Sequence, residues 1–129
     1  MAKSYGKNRR LELSFAKAVE QVTAALSEQG FGVLTEIDVQ ATLKKKIDAD
    51  FRRYVILGAC NPHLANQALN SELEIGLLLP CNVVVYEQGE GSVVSIIDPA
   101  IMVELTGSAE MAAVAKEASA RLDKVLEAL

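Results

Sequence analysis

A chain of 129 residues has the length of one ordinary domain, and at that size roughly two thirds of the unfolded surface can be buried, so no metal or disulfide staple is needed to hold a core. Hydrophobic residues make up 50% of the chain and charged residues 23%, a globular composition, and no apolar run approaches the ~20 residues that span a bilayer, so a soluble protein without a membrane partner is expected. The net charge of -4 argues against a nucleic-acid partner, although basic residues gather locally at Arg9, Arg10, Lys44, Lys45, Lys46, Arg52 and Arg53.

The first ten residues carry charge but lead into no apolar stretch of the ~7–15 residues a secretory signal requires, and a cytoplasmic location is expected. Around 3–12, Tyr5, Leu11 and Leu13 stand among polar residues, the pattern of an edge strand with basic outer positions. From Ser14 the period changes. Phe15, Ala18, Val19, Val22, Ala25 and Leu26 fall at helical spacing, Ser14 is placed to cap the helix and Gly30 to end it, which predicts a helix over 14–29. The segment 31–39 then alternates Phe31, Val33, Thr35 and Ile37 against Gly32, Leu34, Glu36 and Asp38, a strand with one packed face. Asp38 can cap a short helix on which Val39, Leu43 and Ile47 share a side, leaving Lys44, Lys45 and Lys46 as a solvated face rather than an anion site.

Residues 54–60 are nearly all apolar and read as a strand inside the sheet, running straight into Asn61-Pro62, a strong helix-start signal for a helix over 62–72. Between Leu73 and Pro80 no clean period exists, and Gly76 with Pro80 predicts a tight, irregular passage. Strands at 82–87 and 92–97 follow, joined by the four residues Gln88-Gly-Glu-Gly91 and pairing antiparallel. Asp98-Pro99 opens a helical turn that stops at Gly107. After Ser108, Met111, Ala115, Ala118, Leu122, Val125 and Leu129 step by four and three along the longest helix, read as a core element. Residues 1–129 therefore form a single α+β domain: a mixed β-sheet of about five strands in the order β-α-β-α-β-α-β-β-α, with its helices mainly on one face.

Both cysteines and the one histidine lie in the stretch from Gly58 to Asn82. Cys60 ends a buried strand just ahead of a helix whose first N–H groups are unpaired, a placement that lowers a thiol pKa and makes Cys60 the first candidate nucleophile or ligand. An unpaired cysteine is also among the most buried residue types, and structural packing is the competing reading. Whether Cys81 meets Cys60 depends on the irregular segment 73–80. A helix that carries the chain back along the sheet separates the two thiols beyond the ~7 Å a disulfide allows, and only a segment that doubles back brings them together. His63 is an exposed helix-start residue or a third ligand beside Cys60 and Cys81; that set does not complete a tetrahedral zinc site, and no Cys-x-x-Cys is present. Asn61 and Asn82 cap and turn the chain or orient a ligand. No motif names a cofactor, and no catalytic set is complete.

The segments Gly30-Phe-Gly-Val-Leu-Thr-Glu-Ile-Asp-Val-Gln40, Leu57-Gly-Ala-Cys-Asn-Pro62 and Gly76-Leu-Leu-Leu-Pro-Cys-Asn-Val-Val-Val-Tyr-Glu87, taken in that order, resemble the family called domain of unknown function 302 over nearly the whole chain. The resemblance implies a small two-layer α+β fold assembled as a homodimer, and it transfers no catalytic role onto Cys60, Asn61, Pro62, Cys81 or Asn82. The expected function is a small homodimeric binding or accessory module, with a small-molecule ligand. The rival is a thiol-dependent redox or metal-handling protein using Cys60 with Cys81 and His63.

Overall fold

The computed structural model describes residues 4–129, so Lys3, where the first strand was expected to begin, lies outside the described residues. In chain order the elements are β1 (Gly6–Leu11), α1 (Phe15–Glu28), β2 (Gly32–Asp38), α2 (Val39–Ile47), β3 (Tyr54–Cys60), α3 (Pro62–Ser71), a 3-10 helix (Leu73–Leu78), β4 (Cys81–Gln88), β5 (Gly91–Ile97), α4 (Ala100–Thr106) and α5 (Ala109–Glu127). Local chemistry accounts for the helix starts. Ser14, Asp38, Asn61 and Ser108 each accept, through a side-chain oxygen, the backbone N–H three residues on, which satisfies one of the donors a helix start leaves free. Gly30, at φ 81°, supplies the left-handed residue that turns the chain out of α1.

The five strands lie in the order β1-β5-β4-β3-β2, and all four ladders are antiparallel. The sheet is therefore antiparallel throughout, not mixed as its sequence suggested. Helices between successive strands normally signal parallel crossovers, but here α3 and the 3-10 helix leave and return at the same end of the sheet, so that Ala59 of β3 faces Cys81 at the start of β4. One face of the sheet carries Val55, Leu57, Ala59, Val83, Val85, Val94 and Ile96, all buried in a core with Ala18, Val22 and Leu26 of α1 and Met111, Ala118, Leu122 and Val125 of α5. The result is two layers. At the β1 edge, Lys7 Nζ donates to Asp123 Oδ1 at 2.9 Å and Arg9 Nη1 to the Leu126 carbonyl at 2.9 Å, tying that strand to α5.

Two details differ from the sequence pattern. In β2, Val33 faces Ala59 but Thr35 faces Gly58, so Leu34 is an extra residue in the ladder. That bulge moves Thr35 and Ile37 to the side away from the core, and β2 is exposed along nearly its whole length instead of packing one face. The turn between β4 and β5 is tighter than four residues, because Gln88 already faces Gly91 and only Gly89, at φ 60°, and Glu90 lie between them. No helix among the described residues is long and apolar enough to cross a membrane.

Candidate functional site

The junction of β3 with α3 is built by Asn61. It is 5% exposed; its Oδ1 accepts the Leu64 N–H at 3.1 Å, and its carbonyl accepts the Ala65 N–H at 2.9 Å, so side chain and backbone together fix the first turn of α3. Pro62 at the first helical position needs no N–H partner there. The chain then passes through the 3-10 helix and the cis Leu79–Pro80 peptide before Cys81 enters the sheet. Because this passage doubles back, Cys60 and Cys81 end up at the same corner.

Between them is an apolar cavity of about 30 Å³, with Ala59, Cys60, Cys81, Leu79 and Pro80 at the sheet end. Phe31, Leu64, Ala65 and Ala68 form one wall, and Met102 of α4 with Val114 and Ala118 of α5 form the other. Both cysteines are free thiols, Cys60 partly exposed and Cys81 buried. Burial pushes the Cys81 thiol up to about 11, and the neighbouring Cys60 adds to that rise. Cys81 thus stays protonated at neutral pH.

Of the five candidates taken from the sequence, the structure brings Cys60, Asn61 and Cys81 together on this cavity. His63 is exposed on α3 and does not line it, and Asn82 is exposed opposite Gly58 on the other side of the sheet. The three-ligand set Cys60, Cys81 and His63 is not assembled, and among the described residues no three His, Cys, Asp or Glu side chains gather to hold a metal. The reason is local: Pro62 and His63 start the helix on its solvent side, whereas Leu64 and Ala68 turn inward. Sequence reasoning missed Met102, which was read only as part of an apolar turn. Nothing short-range links it to Cys60. The lysine run of α2 is a solvated surface in which Lys44 Nζ pairs with Asp48 at 2.9 Å and Asp50 at 3.2 Å, and those carboxylates hold its ammonium pKa up.

The sheet face away from the core is a second feature. Tyr54, Ile56, Val84, Tyr86, Val93 and Ile97 lie on it, and no charged residue occupies that side of β3, β4 or β5. Tyr54 and Tyr86 stack across the ladder with ring centroids 5.5 Å apart and planes 7° from parallel. Most of these side chains are half-buried, Phe51 packs against Tyr54 with ring centroids 6.0 Å apart, and burial raises the Tyr54 phenol above its ordinary pKa.

Comparison with known proteins gives the following. The family model described as "Domain of unknown function DUF302" matches residues 7–129. A solved structure, the crystal structure of an uncharacterized conserved protein DUF302 from Bacillus stearothermophilus, superposes with a TM-score of 0.89 at 28% sequence identity, covering 98% of each chain. No curated protein matches the chain.

Proposed function

The chain belongs to the DUF302 family of unknown function, and from that premise we propose that it is a homodimeric binding module whose ligand end is the cavity beside Cys60 and Cys81. The observation that carries this reading is the cavity itself: a partly open apolar space at the junction of three helices with the sheet. At about 30 Å³ it has room for one or two water-sized guests and is far below the ~300 Å³ where pockets for drug-sized ligands begin. The ligand is therefore an ion or a molecule of a few atoms. Support for the dimer comes from the open side of β3, β4 and β5, which carries no charged residue and where most apolar side chains stay only half-buried in a single chain.

Two measurements test the reading. Xenon, a small apolar probe, should shift the amide resonances of residues 59–65 and 79–82 and leave those of α2 unchanged; no shift at the cavity sinks the binding claim. In sedimentation at micromolar concentration the protein should run as a dimer, and Val84→Glu should run as a folded monomer. A monomeric parent sinks the dimer claim.

One observation favours the rival thiol reading, namely that both cysteine residues border one cavity. Against it stands the buried Cys81, protonated well above neutrality, since a thiolate is the attacking species in disulfide exchange. A titration of Cys60 reactivity with pH separates the two: an ordinary or buried thiol pKa removes the redox protein, and a depressed one revives it.

A further inference from the structure

Charge is segregated along this chain. Between Arg53 and Lys116 it carries carboxylates but no lysine or arginine, and that stretch supplies α3, the 3-10 helix, α4 and the start of α5. The Ser71 hydroxyl donates to Glu110 Oε2 at 2.5 Å and so joins the end of α3 to the start of α5. The 3-10 helix, which follows Ser71, and the end of α4, which precedes Glu110, therefore lie at the same end of the helical layer. Leu73 and Leu77 there are 84% and 82% exposed, the highest values for large apolar side chains among the described residues, and Leu105 is 64% exposed. Ile75, between the first two, is buried, so the 3-10 helix is anchored and holds its leucines outward on a fixed backbone. The exposed carboxylates of Glu74 and Glu110 stand beside them.

An open groove of about 610 Å³ lies between α3 and α5 and includes Ser71 and Glu110. Leu64 and Val114 give it an apolar floor, Glu117 is its second acid, and no basic residue lines it. The Arg121 guanidinium is taken up by Glu117 at 2.8 Å and by the Gln29 carbonyl, and Lys116 lines the separate groove between α4 and α5. A single exposed leucine means little, but three at one end, beside a groove with charge of one sign, define the chemistry of what would cover them. A helix with an apolar stripe flanked by lysine or arginine supplies both halves of that chemistry at once.

We propose that this end of the helical layer, with Leu73, Leu77 and Leu105 beside the α3–α5 groove, docks a basic amphipathic helix of another protein. The site is separate from the cavity at Cys60 and from the open side of the sheet, and depends on neither. A second copy of the chain is the poorer occupant, because its basic helix α2 is nine residues long and Lys44 is already paired with Asp48 and Asp50.

The test is fluorescence anisotropy of a labelled amphipathic helix of leucine and lysine, about 18 residues long, titrated with the full chain, with amide shifts recorded at saturation. One peptide per chain should bind, more weakly in high salt, and should shift amides of α3, the 3-10 helix and the first turns of α5 while leaving those of β2 unmoved. A peptide of the same composition with its stripe scrambled, and a striped peptide with glutamate in place of lysine, should each bind at least roughly tenfold more weakly. Leu73→Ser combined with Leu77→Ser should weaken the striped peptide roughly tenfold, and Glu74→Gln with Glu110→Gln should lessen its salt dependence. Leu34→Ser, which removes an exposed leucine from β2, should change nothing. Each of these side chains is exposed, so the variants keep the fold. Equal binding of the scrambled peptide, shifts confined to other elements, or full affinity in the double leucine variant overturns the proposal. Loss of the chain's own association in sedimentation of that double variant would assign the surface to a second copy and overturn it as well.

Discussion

The two faces of this sheet are cut from the same strands and much the same residues, yet they do different things. Val85 and Leu57 point under the helices and are 0% and 1% exposed, whereas their chain neighbours Val84 and Ile56 point away and remain half-buried. The residue types are alike and the propensity for strand is alike. What differs is the layer above: α1 and α5 pack their buried residues onto one side and not onto the other. Burial by helices marks the first set as core, and the second set lies on the side of β3, β4 and β5 that carries no charged residue, the side on which the proposed dimer rests.

The most direct way to break this comparison is to truncate both sides. Leu57→Ala should cost about 2–5 kcal/mol in denaturant unfolding, through lost transfer energy and the void left behind, whereas Ile56→Ala should cost the isolated chain under about 1.5 kcal/mol. Equal losses would mean the open face is core after all. The next effect is a pH dependence confined to the closed side. Burial raises the Cys81 thiol from an ordinary 9.0 to about 11, so below pH 9.0 folded and unfolded chains are both protonated there and its contribution is fully present. As pH rises toward 11 the unfolded chain gives up this proton first, and about 2–3 kcal/mol of stability should drain away. Cys81→Ala should flatten that slope in unfolding curves measured across the range; an unchanged slope assigns it elsewhere. The smallest effect is at the rim. The hydrogen bond to Asp123 raises the Lys7 ammonium pKa, so its stabilisation is complete below the ordinary lysine value and is lost as pH climbs through the raised one. With both partners over 40% exposed, Asp123→Asn should cost no more than about 1 kcal/mol, and less in high salt.

Much of the architecture was legible because it is encoded locally. Ser14, Asp38, Asn61 and Ser108 announce their helices, the α5 stripe announces its buried side, and the uninterrupted run 54–60 announces a strand paired on both edges. Ladder direction was not legible, because it depends on where the 73–80 passage delivers the chain, and no residue in it states an end point. Nor was the Leu34 bulge, since alternation continues through it unbroken and only the cross-strand partner reveals the slip. At the site, Cys60 and Asn61 could be picked out from the strand-to-helix junction, and His63, picked out with them, lies on the solvent side, because adjacency in sequence does not say which side of the first turn faces inward. Met102 lies more than forty positions from Cys60 and joins it only through the packing of α4 on α5.

Gly58 lies where β3 passes against Thr35 and Pro80. A Cβ there would run into Thr35 Oγ1 and Pro80 Cγ, so the missing side chain lets the proline ring settle on the open side of β3 while the same residue closes the cavity. The Pro80 ring therefore borders both the cavity and the open side of β3. If the open side pairs two chains as proposed, thermodynamic reciprocity makes any guest whose entry moves this ring change self-association by the same factor by which self-association changes the guest's affinity, so that occupancy would track protein concentration.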